Sequence, residues 1–265
     1  MTNTLDSRQR DQYSRQLMID SIGESDQRTL LAARVLVVGA GGLGSSVIQY
    51  LTAAGVGTIG IADDGIVKRS NLQRQVVHGI DDVGDRKVDS AATFVERRNA
   101  DVAVEKHPVR VERNNVEPLV EQYDVVVDAL DNFRTRFLVN DAARVAGVPF
   151  VHGAVYEFEG QMMAFLPGGP CYRCLLPEVP DADVAPSGEP MGIVPTVPGT
   201  IGCLQTTEVL KYRLNVGEVL DDRLLRYDAT DATFTQTPLE RNPDCPTCGH
   251  DSIDSLDDVD SYERS

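Results

Sequence analysis

Val35-Leu36-Val37-Val38-Gly39-Ala40-Gly41-Gly42-Leu43-Gly44 is a short apolar run that stops abruptly in glycines, and Ser45-Ser46-Val47-Ile48-Gln49-Tyr50-Leu51 continues it. A β-branched run of this length reads as a buried parallel strand. Leu43, Val47, Ile48 and Leu51 then recur at helical spacing, so the order is strand, glycine turn, helix. Glycines at 39, 41 and 44 permit a tight turn, close approach of backbone N–H groups to a phosphate, and close packing of helix on strand. The expected guest is a polyphosphate nucleotide. The turn by itself fits a dinucleotide as well as ATP, so the flanking sequence decides between them.

Upstream, Arg8 to Ile22 is mixed in character around Tyr13-Ser14-Arg15-Gln16, and Ser25 is placed to cap a helix running to about Ala33. Downstream, Thr58 to Ala62 reads as a second strand ending at Asp63-Asp64. An acid about twenty positions beyond the glycine turn is where a Rossmann-like site holds a ribose hydroxyl, which makes Asp63 the candidate. Ser70-Asn71-Leu72-Gln73-Arg74-Gln75 is too rich in side-chain donors for simple linker. Gly84 to Arg98 reads as a helix with Lys87 in its first turn, the end at which a cation is unfavourable unless it reaches a bound anion. Val102 to Lys106 and Asp124 to Asp128 read as strands, the second followed by Ala129-Leu130-Asp131-Asn132. Asn132 caps the next helix, and Asp131, beside a triphosphate, is a natural Mg²⁺ ligand. In an open α/β sheet, ligands lie beyond the carboxyl ends of the strands, where Asp63 and Asp131 can both face a nucleotide held at Gly42.

After Pro149 the pattern changes. Phe150 to Val155 and Gln161 to Phe165 are strands with no helix between them, Thr200 to Leu214 is a helix, and Arg223 to Tyr227 and Thr233 to Thr235 close the sheet. The expected class is α/β, a Rossmann-like, mostly parallel sheet flanked by helices with a mixed or antiparallel C-terminal part.

The 265 residues, 42% of them apolar, suit one large globular unit. No apolar run approaches the roughly 20 residues a bilayer requires, and Met1 to Asp11 is polar, so the expectation is a cytoplasmic protein. A net charge of −16 disfavours nonspecific binding to nucleic acid or an anionic membrane. Lysine occurs only at 68, 87, 106 and 211, and acid accumulates from Asp251 to Glu263. That balance is like proteins of a high-salt cytoplasm, and an ordinary acidic surface is the alternative.

Cys171-Tyr172-Arg173-Cys174 and Cys245-Pro246-Thr247-Cys248-Gly249 are two Cys-x-x-Cys knuckles, the second with a proline and glycine that turn backbone N–H groups toward sulfur. Four thiolates in two pairs match tetrahedral Zn²⁺ at Cys171, Cys174, Cys245 and Cys248. A redox dithiol competes for either pair, whereas structural disulfides are out of place in a reducing cytosol. Cys203, at the start of a helix, reads as a small buried thiol.

With these pieces placed, the chain resembles the E1-like (ThiF/MoeB/HesA-type) adenylyltransferase family, that of the molybdopterin-synthase adenylyltransferase, the thiamine-pathway sulfur-carrier adenylyltransferase and the archaeal ubiquitin-like activating enzyme. The resemblance runs from about Tyr13 to Cys248 through Tyr13 to Gln16, Gly39 to Gly44, Ser70 to Gln75, Gly84 with Lys87, Asp128 to Asn132 and both knuckles, in family order. It implies ATP contacts at Gly42, Asp63, Ser70, Asn71, Leu72, Gln73, Arg74, Lys87, Asp131 and Asn132, and a homodimer in which Arg15 reaches the phosphates of the neighbouring subunit. It implies as substrate the Gly-Gly carboxyl terminus of a small ubiquitin-like, β-grasp sulfur carrier. The implied layout is one adenylation domain over 1–250, with a nucleotide half to about 148 and a carrier-binding and zinc half from about 149, then an acidic tail at 251–265.

Carboxylate attack on the α-phosphorus brings two anions together, and Arg74, Lys87, Arg15 and an Asp131-held Mg²⁺ would neutralise them. No general base is required, because the nucleophile is already ionised at neutral pH. Two departures from the family pattern stand out. The paired acids after the second strand reduce to Asp63, with Gly65 at the later position, and the loop cysteine of many members aligns with Gly188, within 186–192. Adenylation survives the second loss, but a covalent thioester or persulfide step does not follow. Two other functions fit parts of the sequence: an NAD-dependent oxidoreductase, which leaves Arg74, Lys87 and the knuckles unexplained, and a catalytically limited partner of a carrier or a thiol-bearing paralogue.

Overall fold

The computed structural model describes residues 4–180, 192–250 and 252–259. Gly188 and residues 251 and 260–265 of the acidic tail therefore lie outside the described residues. In β1 (Arg34–Val38), Val35 and Val37 enter one hydrophobic core while Leu36 and Val38 enter another. Two buried faces on one strand require cover on both sides of the sheet. Helices α1 (Ser7–Gln12), α2 (Ser14–Leu17) and α3 (Glu24–Ala32) precede β1, and α4 (Gly42–Ala54) follows it. Next come β2 (Thr58–Ala62), α5 (Lys87–Arg98), β3 (Ala103–His107), α6 (Val116–Val120), β4 (Val125–Asp128), α7 (Phe133–Val145), β5 (Phe150–Tyr156) and β6 (Glu159–Phe165). The chain closes with α8 (Tyr172–Leu175), α9 (Thr196–Leu214), β7 (Arg223–Asp228) and β8 (Thr233–Pro238).

One sheet holds all eight strands in the order β3-β2-β1-β4-β5-β6-β7-β8. Strands β1 to β5 pair in parallel, and β5 to β8 form an antiparallel extension. This is the expected mixed architecture. α4, α5 and α9 cover the face carrying Val35 and Val37, and α6, α7 and α8 cover the other. Strand order reverses between β1 and β4, which opens the ligand crevice of a doubly wound sheet beyond their carboxyl ends. Among the described residues, no helix is long and apolar enough to cross a membrane.

Several boundaries differ from the sequence reading: β6 starts two residues earlier, at Glu159, β8 runs on to Pro238, and three helix starts move. Gly23, rather than Ser25, is the cap of α3, and the Asp26 carboxylate accepts the Gly23 N–H at 2.7 Å. α5 starts at Lys87, not Gly84, because residues 84–86 return along 65–67: Gly84 N–H donates to Val67 O, and Ile66 bridges Arg86. α9 starts at Thr196 and contains Pro198, which is tolerated because first-turn N–H groups have no intrahelical acceptor.

Candidate functional site

The glycine turn lies at the strand reversal, and its glycines differ in what requires them. Gly39 has φ +103°, and a Cβ there would stand 2.5 Å from the Ala129 carbonyl oxygen, so this position brings the ends of β1 and β4 together. A Cβ on Gly44 would stand 1.9 Å from Gly39 O, which excludes every other residue. Gly41, the cap of α4, meets nothing nearer than Gln75 Nε2 at 3.8 Å and leaves the first-turn N–H groups of a 13-residue helix without a side chain over them. That is an anion-accepting helix end. Gly42 backs onto Pro198 of α9 and the Arg74 stem, at 3.2 and 3.4 Å from an added Cβ.

Asp63 leaves the end of β2 and reaches the same turn. Its Oδ2 accepts the Ala40 N–H at 2.8 Å and lies 3.4 Å from Lys87 Nζ, while Oδ1 accepts the Gly65 N–H at 2.7 Å. Both side chains are largely enclosed, Asp63 10% and Lys87 17% exposed. Lys87 thus stands at the glycine turn although it opens a helix, where an ammonium group lacks dipole support. Residues 69–75 wind through a short 3-10 turn closed by Lys68 N–H donating to Asn71 Oδ1 at 3.0 Å, and Arg74 Nη1 donates to Ser70 O at 3.3 Å. Asn71 has therefore committed its oxygen to the turn, leaving its amide N–H groups to offer a ligand. Ser70 and Gln73 are exposed, and Leu72 is half-buried.

Sequence reasoning missed His78 here and named Gln75 only as the end of a donor-rich stretch, with no role. Gln75 is buried beside Gly41 with Oε1 unpartnered. His78 is buried, with Nε2 3.1 Å from Ala40 O and Nδ1 2.7 Å from Ser90 Oγ, and so ties the glycine turn to α5. Burial lowers the His78 pKa. Neither residue has a periodic signal, since both lie in irregular chain.

At the end of β4, Asp128 is fully buried and accepts from Arg136 Nε and His152 Nδ1, both at 2.7 Å to Oδ2. Asp131 is exposed at the crevice rim, and Asn132 Oδ1 caps α7 by accepting the Thr135 N–H at 2.9 Å. Arg136 and His152 were not anticipated; the signal available was an arginine at the spacing of the buried face of α7. Arg15 does not join this cluster. Its neighbours Tyr13 and Gln16 sit at the far end of α4, on Gly55 and Ala54 O. At ~1.5 Å per residue, α4 places them about 20 Å from the turn.

The four knuckle sulfurs meet although the pairs are 74 residues apart. Cys171 and Cys245 Sγ are 3.6 Å apart, Cys174 and Cys248 Sγ 3.4 Å, and all four lie within 4.8 Å. These separations exceed a disulfide's ~2.05 Å and suit a tetrahedral ion with metal–sulfur bonds of about 2.3 Å. The surroundings fit that donor set. Asn242 N–H donates to Cys174 Sγ, and the mutual hydrogen bonds of the four thiols pull Cys174 and Cys245 below the usual thiol range while they push Cys171 and Cys248 above it, one set of protons shared among four sulfurs. A single acid on α7, Asp141, accepts from Arg173 of the first knuckle and Thr247 of the second. Cys203 is partly exposed rather than buried.

The ThiF family model matches residues 13–247. The chain is 53% identical over 263 residues to the SAMP-activating enzyme E1 of Haloferax volcanii, covering 99% of this chain and 97% of that one. It is 45% identical over 245 residues to the sulfur carrier protein adenylyltransferase of Thermus thermophilus, covering 90% of each. Against the mouse adenylyltransferase and sulfurtransferase MOCS3, identity is 41% over 253 residues, 94% of this chain but 55% of that protein. Among solved structures, Escherichia coli MccB with MccA-N7isoASN superposes with a TM-score of 0.82 at 23% identity, covering 90% of this chain and 75% of MccB, a likeness of fold.

Proposed function

The chain belongs to the ThiF family, and on that premise we propose that it is an ATP-dependent adenylyltransferase that activates the C-terminal glycine carboxylate of a ubiquitin-like sulfur carrier as an acyl-adenylate. The observation that carries this reading is the enclosed Lys87 beside Asp63 at the glycine turn, with the Arg74 stem packed on Gly42. A cation at a helix N-terminus, next to backbone N–H groups free to take phosphate oxygens, is an arrangement for a polyphosphate. It is not one for the nicotinamide end of NAD, which offers no anion to an ammonium group.

The chemistry follows from charge. A carboxylate has to approach the α-phosphorus of ATP while pyrophosphate departs, and Lys87, Arg74 and the α4 N–H groups offset the charge that accumulates. Asp63 holds the ribose, and residues Ser70 to Gln73 and Asn132 line the nucleotide. Mg²⁺, held by the exposed Asp131, would supply further neutralisation of the phosphate oxygens. Arg15, too far from the turn of its own subunit, acts on the partner's nucleotide in a homodimer, and exposed Met18 and Ile19 beside it suit such an interface. Residues to about 148 carry the nucleotide, and those from about 149 to 250 carry the carrier site and Zn²⁺ bound by Cys171, Cys174, Cys245 and Cys248. The protein works in the cytoplasm, in sulfur transfer or protein tagging.

The test is mass spectrometry of each Gly-Gly carrier of the same cell after incubation with this protein, ATP and Mg²⁺. The expected product is carrier with added AMP and no DTT-sensitive adduct. If no carrier gains AMP, the catalytic assignment fails in favour of a binding partner.

A further inference from the structure

We propose that the buried Asp128, clasped by Arg136 and His152, is a positioning residue that fixes the Asp131–Asn132 loop in the geometry the reaction requires. The inference rests on the adenylyltransferase reading above. Asp128 is fully buried, and a buried carboxylate is unfavourable unless paired and fully hydrogen-bonded. An apolar residue would serve stability as well. What the carboxylate supplies in addition is directional grip on the four residues between β4 and α7.

That grip is dense. Asp128 Oδ1 accepts the Leu130 N–H at 3.0 Å, and Arg136, while bonded to Oδ2, also donates Nη2–H to Leu130 O at 2.7 Å. From α9, Gln205 Nε2 donates to Asp128 O at 2.7 Å. Ala129 N–H donates to Val38 O, and Asn132 caps α7. The loop is thus fastened from β1, β5, α7 and α9, and Asp131 projects from its rim. Misplacement of a reacting group by about 1 Å is enough to lower a rate on the order of 10²-fold. Sites of this kind are held by the packing and hydrogen bonding of the groups behind them.

His152 has a defined part. An ionised carboxylate only accepts, so Nδ1 carries the proton donated to Asp128, and Nε2, which is buried and unpartnered, carries none. The neutral ring packs 4.8 Å from the Tyr172 ring, which also lies on Phe137 of α7. Burial lowers the His152 pKa, in keeping with a neutral ring, and Asp128 stays low because Arg136 and His152 together outweigh its burial.

The experiment compares Asp128→Asn, Arg136→Lys, His152→Leu and His152→Asn in carrier-dependent pyrophosphate exchange, with hydrogen exchange of the free proteins alongside. Asp128→Asn is expected to lower turnover at saturating ATP about 10²-fold, and Arg136→Lys and His152→Leu about tenfold, each with the KM for ATP within about threefold of wild type. In His152→Asn the amide Nδ2 stands where Nδ1 stood, and turnover is expected within about threefold of wild type. Amides 129–132 are expected to exchange at least about tenfold faster in Asp128→Asn and His152→Leu, with the β1 and β2 amides unchanged. Wild-type turnover in a folded Asp128→Asn, or a raised KM with turnover intact, overturns the proposal. So does equal loss in His152→Leu and His152→Asn. Should Asp128→Asn fail to fold, Arg136→Lys and the two His152 variants decide by the same criteria. Should wild type show no exchange with any carrier, the adenylyltransferase reading fails, and unchanged protection of 129–132 in the variants overturns the positioning role separately.

Discussion

Buried imidazoles make this chain sensitive to acid. Burial lowers the pKa values of His78, His107 and His152, so the unfolded chain takes up protons near pH 6.5 while the native one does not. Their contribution is present above pH 6.5 and is lost as pH falls from there toward the lowered native values, with a maximum slope of about 1.4 kcal/mol per pH unit per site. The midpoint of urea unfolding is therefore expected to drop between pH 7.5 and 5.5. The net charge of −16 acts the other way, since acid relieves self-repulsion. The comparison that isolates a histidine is His78→Gln, whose amide can still donate to Ala40 O. This variant is expected to show a shallower decline than wild type, and a decline of equal steepness would remove His78 from the account.

Among elements, the crossing of α9 on α4 is set by small residues. A Cβ at Gly202 would stand 2.8 Å from Leu43 O and from Ser46 Cβ, whereas one at Gly199 meets only Ser46 Oγ at 4.0 Å. Gly202→Val is expected to cost about 2–3 kcal/mol in urea denaturation, since the backbone of α4 would have to retreat. Gly199→Ala is expected to be neutral or stabilising by up to ~1 kcal/mol, because alanine is the better helix former. Reversal of that order would mean that the helices do not cross at Gly202. Elements of this kind divide by legibility. β1, β2 and β4 are short β-branched runs, and the sequence reading places each within about a residue. The start of α5 was misplaced because residues 84–86 pair with a segment whose position is known only after folding. α1, α2, α6 and α8, of four to six residues, are too short for periodicity to register. The same limit governs the candidate site. Residues in recognisable spacing, such as Lys87, Asp63 and the four cysteines, were found from sequence. His78, His152 and Asp141 were not, because their partners are tertiary.

For the whole molecule, the proposed homodimer would place Arg15, about 20 Å from its own glycine turn, at the partner's nucleotide, so that two half-sites would each be completed across a twofold axis. Arg15→Ala and Lys87→Ala would each be inactive alone. Allowed to exchange subunits, a mixture is expected to recover about a quarter of wild-type pyrophosphate exchange, because half the dimers are mixed and one of their two sites is intact. No recovery in subunits shown to have exchanged would place Arg15 outside the reaction.

The contact between Lys87 and Asp63 bears on what the protein admits. On the proposed reading, an arriving triphosphate would compete for an ammonium group that already has a partner, so binding would be a swap of counter-ions and not the filling of a vacant hole. A nucleoside without phosphates offers Lys87 nothing in return and meets the pair intact. The carboxylate therefore trims the advantage that phosphates would draw from Lys87, and adenosine, which draws none, would rest on its base and ribose contacts alone.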